Sequence, residues 1–109
     1  MEISEIKSTL KEIETITFSK HFHDDKVRIR GISEDEIKSY LKSTEKLIAV
    51  EDQGEEPQGH KYALLFSKSS KYDLKVVISV KEKRLNVITA HIQSIKRRKV
   101  YQQWLEKQK

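Results

Sequence analysis

The chain has no cysteine, a single proline, three glycines and one tryptophan in 109 residues. Without cysteine there are no disulfides, thiolate metal sites or cysteine nucleophiles. Three scattered glycines cannot build a phosphate-cradling glycine loop, and there is no paired-carboxylate or Ser-His-Asp arrangement worth defending. No apolar run approaches the roughly 20 residues a membrane span needs, and the acidic start "MEISEIKSTLKEIE" holds no apolar core of signal-peptide length. A cytoplasmic protein with no membrane contact is the expectation.

Charge is what the chain has in quantity. Charged residues make up 36% of it and hydrophobic residues another 36%, so a small core under a heavily charged surface is implied. The net charge of +5 conceals a polarity. Residues 1–56 hold 9 Lys/Arg against 14 Asp/Glu, whereas residues 57–109 hold 13 against 3. A basic half, in a chain of pI near 9.4, suits an anionic partner, nucleic acid or an acidic protein. The competing reading is a charged surface that only confers solubility.

The length is that of one domain, residues 1–109. Ile3, Ile6, Leu10 and Ile13 recur at helical spacing and predict a helix over 2–13. "TITFSKHF" alternates β-branched and aromatic residues and reads either as a short strand or as the start of the next helix. His21 to Arg30 is mostly polar, as in a short exposed helix or irregular turn, and Gly31 supplies a stop. "SEDE" at 33–36 is a capping box, with Ser33 accepting from the amide three residues on and Glu36 able to reach back. The helix behind it should carry Ile37, Tyr40 and Leu41 on one stripe and end near Lys42 or Ser43.

"KLIAVED" reads as a strand and "DQGEEPQG" as a loop. "HKYALLFS", "YDLKVVISV" and "RLNVITAHI" follow as three strands whose short polar separators favour antiparallel pairing. "QSIKRRKVYQQWLEKQK" predicts a basic helix over 94–108 docked by Tyr101, Trp104 and Leu105. The expected fold is therefore α+β: N-terminal helices packed on one face of a four-stranded antiparallel sheet, with a C-terminal helix. Strand alternation puts Leu74, Val76, Ile78 and Val80 on the core face. It groups Leu85, Val87, Thr89 and His91 against Ile88, Ala90 and Ile92, with His91 leaning toward the less apolar face.

"HFHDDKVRIRGISEDEIKSYLKS", then a strand, a loop, "HKYALLF", "LKVVISV" and "LNVITAHI", resembles small bacterial and archaeal proteins similar to the RelE/BrnT toxins of toxin–antitoxin modules. The likeness covers about residues 17–92 and rests on Arg30-Gly31-Ile32-Ser33 and Val87-Ile88-Thr89. The family histidine would fall between His21 and His23, so either could correspond to it. The helix over 1–13 precedes the usual family start, as an extension serving homodimerisation or antitoxin docking. What the resemblance implies is a metal-independent endoribonuclease toxin that acts on RNA without cofactors and is neutralised by an antitoxin protein. The alternative is a non-catalytic RNA-binding or protein-interaction module on the same scaffold.

Such an enzyme must deprotonate a ribose 2′-hydroxyl, stabilise charge on phosphorus and protonate the departing 5′-oxygen. Imidazole suits both proton steps and arginine suits the phosphate. His21, His23, Arg28, Arg30 and His91 are the catalytic candidates. On a helix His21 and His23 diverge, so only one can face a site; on an extended segment they share a face. Lys96, Arg97, Arg98, Lys99 and Tyr101 are the RNA-binding candidates, Lys96 and Lys99 as members of the basic run and Arg97, Arg98 and Tyr101 also by analogy with those toxins, whose last strand and C-terminal segment contact RNA; the competing reading is a solvated helix face. His60, at a loop edge, reads as solvated. A zinc site from His21, His23, Asp24 and Asp25 lacks a recognised spacing, and no metal is expected.

Overall fold

The computed structural model describes residues 3–20, 22 and 32–96, which form two helices and one five-stranded sheet. In chain order these are α1 (Ile3–Lys11), β1 (Thr15–Phe18), α2 (Glu34–Ser43), β2 (Leu47–Glu56), β3 (Gly59–Ser67), β4 (Tyr72–Lys81) and β5 (Arg84–Ser94). The spatial order is β1-β5-β4-β3-β2. β2 to β5 form an antiparallel meander, and β1 joins its far edge parallel to β5.

The expected four-stranded antiparallel sheet with a C-terminal helix is thus corrected to a five-stranded mixed sheet. β1 supplies the difference. Four residues are too few for alternation to separate a strand from the approach to a helix, and the pairing that settles the matter is remote. Thr17 Oγ1 donates to Asn86 Oδ1 at 3.0 Å across 69 residues of sequence. Ser94 is the last residue of β5 rather than the first of a helix. Ile95 and Lys96, which follow it, are helical, and residues 97–108 of the expected terminal helix lie outside the described residues.

α1 and α2 share one face of the sheet because each offers a single apolar stripe. Ile6 and Leu10 of α1, Ile37 and Leu41 of α2, and Phe22 are buried against Tyr62, Leu64, Phe66, Leu74, Val76, Ile78, Leu85, Val87 and Ala90. Phe22 is 1% exposed and packs its ring 4.9 Å from that of Phe18, so it belongs to the core rather than to a polar segment. Ser33 caps α2 as expected, accepting from the Glu36 amide at 3.1 Å. The Glu36 carboxylate bonds Lys68 Nζ at 2.5 Å, tying the first turn of α2 to the β3–β4 loop. Thr44 ends the helix with φ 51° and its amide bonded to the Tyr40 carbonyl.

Three register shifts set the faces, the first of them between Leu47 and Ala49 at the start of β2. The "DQGEE" stretch expected as a loop continues β2 instead, with a register shift between Asp52 and Glu55 that Gly54 accommodates at φ 91°. Only Pro57 and Gln58 turn the chain into β3. In β5 the register shifts where Val77 pairs with Thr89 and Ile78 with Val87, which leaves Ile88 as a bulge. One extra residue reverses the alternation. Leu85 and Val87 therefore join Ala90 in the core, instead of sharing a face with Thr89 and His91. The Ile88 carbonyl accepts from Ser19 Oγ at 2.8 Å, and Ser19 Oγ accepts in turn from the Phe22 amide at 3.1 Å. The chain leaving β1 thereby satisfies the bulge.

Candidate nucleic-acid interface

Alternation turns the other set of strand residues to the face away from α1 and α2. Four rows cross it: Ser67, Asp73 and Gln93; Leu65, Lys75 and His91; Ala63, Val77 and Thr89; Lys61, Ser79, Asn86 and Thr17. Asp73 is fully buried there, and Ala63, Leu65, Val77 and Ser79 are 9% exposed or less. Lys75, Thr89 and His91 are half-buried.

His91 is directly opposite Lys75, and such cross-strand neighbours have Cβ atoms about 5 Å apart. An ammonium and an imidazole at that spacing can serve one phosphodiester, the first pairing with a phosphate oxygen while the second exchanges a proton. Lys75 was not singled out by motif. The signal was its place in the alternation of β4, readable only with the register to β5. Lys96 is exposed two residues past the end of β5. His21, His23, Arg28, Arg30, Arg97, Arg98, Lys99 and Tyr101 all lie outside the described residues.

A second polar cluster occupies the helix-side face at the far end of the β2–β3 hairpin. His60 Nε2 donates to Asp52 Oδ1 at 2.6 Å, and its Nδ1 lies 3.8 Å from Glu55 Oε1. The His60 ring stacks on Tyr62, with centroids 4.5 Å apart and planes 20° from parallel. The bond from His60, reinforced by the Gly54 amide at 2.8 Å, holds the Asp52 carboxyl below its usual range. Burial, with Asp52, Glu55 and Glu5 nearby, pushes the Tyr62 hydroxyl up. His60 is therefore structurally engaged rather than solvated. Sequence spacing hid this, because the two residues are eight apart and meet only through the bulged hairpin.

Among the described residues no group of three His, Asp or Glu side chains is placed to hold a metal ion. No described helix is long and apolar enough to cross a membrane. No family model, curated protein or solved structure matches this chain.

Proposed function

We propose that this chain is an RNA-directed protein of the RelE/BrnT kind, a metal-independent endoribonuclease that acts in the cytoplasm as the toxin of a toxin–antitoxin module. The observation that carries the reading is the His91–Lys75 pair on the sheet face opposite the helices. His91 takes the proton of a ribose 2′-hydroxyl as its oxygen attacks phosphorus, and Lys75 pairs with the phosphate oxygens as negative charge grows on them. The P–O5′ bond breaks, the 5′-oxygen takes up a proton, and a 2′,3′-cyclic phosphate is left. One of His21 and His23, with Arg28 or Arg30, is the second proton carrier and phosphate clamp of this reading. Lys96, Arg97, Arg98, Lys99 and Tyr101 hold the RNA strand, and an acidic antitoxin segment competes for the same cations.

Burial of Asp73, Val77 and Ser79 along β4 on either side of Lys75 favours a second reading, a binding module that never cleaves, because covered side chains flanking the pair leave little room for a strand to be bent for in-line attack. Incubation of the purified protein with RNA in EDTA separates the two. Cleavage that His91→Ala abolishes, and that the double variant His21→Ala, His23→Ala weakens, supports the enzyme. Binding without cleavage, with a salt dependence reduced by Lys75→Ala and by Arg97→Ala plus Arg98→Ala, supports the module. Neither cleavage nor salt-dependent binding would remove RNA from the account.

A further inference from the structure

The two edges of the sheet are built differently. β2 is the edge at one side, and it carries Glu51, Asp52, Glu55 and Glu56 together with a bulge, devices that discourage another strand from pairing with it. β1 is the edge at the other side, and Thr15-Ile16-Thr17-Phe18 has neither charge, proline nor bulge. The amides of Thr15 and Ser19 donate to the carbonyls of Lys83 and Val87 in and beside β5. Alternation then turns the amides and carbonyls of Ile16 and Phe18 outward, where no strand among the described residues meets them.

Beside this edge, on the helix side, a cleft of about 220 Å³ opens between the end of α1, β1 and α2. Its walls are Leu10, Ile13, Ile16, Leu41 and Leu85, and Lys38 and Lys42 stand one helical turn apart on its rim. Glu14, also on the rim, is offset by Lys83, whose Nζ is 3.4 Å from its carboxylate. The cleft therefore has a floor of mostly buried apolar side chains and an open surface that is more polar than apolar, with two cations at its rim.

The geometry points to β1 and this cleft as the docking site for an extended acidic peptide segment of a partner protein, added to the sheet as a sixth strand. Its backbone pairs with Ile16 and Phe18. An apolar side chain projecting to the helix side fills the cleft, and carboxylates beside it meet Lys38 and Lys42. Strand addition draws affinity from main-chain bonds and selectivity from the pocket for alternate side chains. The surface is distinct from the His91 face, and its test does not depend on ribonuclease activity.

The probe is a blocked octapeptide alternating glutamate and valine with one central leucine, titrated into the labelled full chain and followed by NMR. Saturable shifts at Ile13–Phe18 and slowed exchange of the Ile16 and Phe18 amides are expected. Methylation of alternate peptide nitrogens should weaken binding at least ten-fold, since it removes main-chain donors and keeps composition and charge. Lys38→Glu plus Lys42→Glu, the first at a half-buried lysine whose Nζ lies 5.9 Å from the centre of the Phe18 ring and the second at an exposed one, should reverse the preference toward the lysine counterpart of the peptide. No saturable shift at millimolar peptide, equal binding of the methylated peptide, shifts at β2 instead, or an unreversed charge preference would each overturn the assignment. Shifts at β1 that grow with protein concentration alone would replace the partner with a second copy of this chain.

Discussion

His60 and Asp52 face each other across the bulged end of the β2–β3 hairpin, with Nε2 of the one 2.6 Å from Oδ1 of the other. A carboxylate only accepts, so the imidazole nitrogen donates. This bond is the first cause of the lowered Asp52 pKa, followed by the Gly54 amide. A carboxylate whose folded value is depressed contributes stability above its unfolded value, near 3.8, and loses it as pH falls through the folded one. A carboxyl NMR titration should find Asp52 ionising below 3.8 in the parent chain and closer to it in His60→Ala, with part of the depression retained through Gly54. An Asp52 titration that ignores the substitution would show that the backbone bond alone sets the shift. Asp52→Asn should flatten the acid side of the stability curve below about pH 4.

Ser19 links three parts of the chain through one hydroxyl, donating to the Ile88 carbonyl and accepting from the Phe22 amide. Ser19→Ala leaves a half-buried bulge carbonyl and an amide without that partner, at a cost of about 1–2 kcal/mol. Urea denaturation measures it. Hydrogen exchange should locate the loss at β1 and the adjoining stretch of β5, because β1 has only four residues with which to resist fraying. A uniform loss over β2 and β3 would contradict this local role.

Those contacts mark where the fold was legible and where it was not. α2 was readable from Ser33 to Ser43 because its cap, its Ile37/Leu41 stripe and its end all act within a few residues. The three strands β3 to β5 were readable as runs for the same reason. β1 was not, since its partner is 69 residues away and four residues carry almost no periodicity. The face of Leu85 and Val87 was misassigned because a bulge at Ile88 has no signature in the local pattern. Among the candidate site residues, only the strand that carries His91 was readable from its run. Lys75 and the Asp52–His60 bond needed the register of the folded sheet, since neither is a motif.

Gly59 and Gly54 both have positive φ but should respond differently to substitution. At Gly59, φ is 136°, and an added Cβ would lie 2.6 Å from the Val80 carbonyl oxygen of β4, which is backbone and cannot move aside. At Gly54, φ is 91° and the space is open. Gly54→Ala carries only the conformational cost, about 1–2 kcal/mol. Gly59→Ala adds overpacking of about 1–3 kcal/mol to a backbone cost of similar size. Thermal melts of the two variants should therefore rank Gly59→Ala well below Gly54→Ala. Equal melting temperatures would mean that the β3–β4 pairing at His60 and Val80 yields without cost.

Lys68 and Glu36 join the β3–β4 loop to the first turn of α2, with Nζ 2.5 Å from Oε1 and both side chains about two-thirds to three-quarters covered. The bond to Glu36 is the main reason that Lys68 holds its proton above the usual lysine range. For a cation whose folded value is raised, the contribution is complete below the unfolded value, near 10.5, and is lost as pH rises through the folded one. Lys68→Met should therefore cost about 0.5–1 kcal/mol at neutral pH, and the cost should fall as pH rises through the raised folded value of Lys68. A cycle with Glu36→Gln, measured by urea denaturation at pH 7 and pH 11, isolates the coupling, which should shrink between the two pH values. Because Glu36 is engaged by Lys68, the N-terminus of α2 leans on the loop as well as on the Ser33 cap. Ser33→Ala should thus destabilise a Lys68→Met background more than it destabilises the parent chain. Strict additivity of the two changes would show that cap and tether act independently.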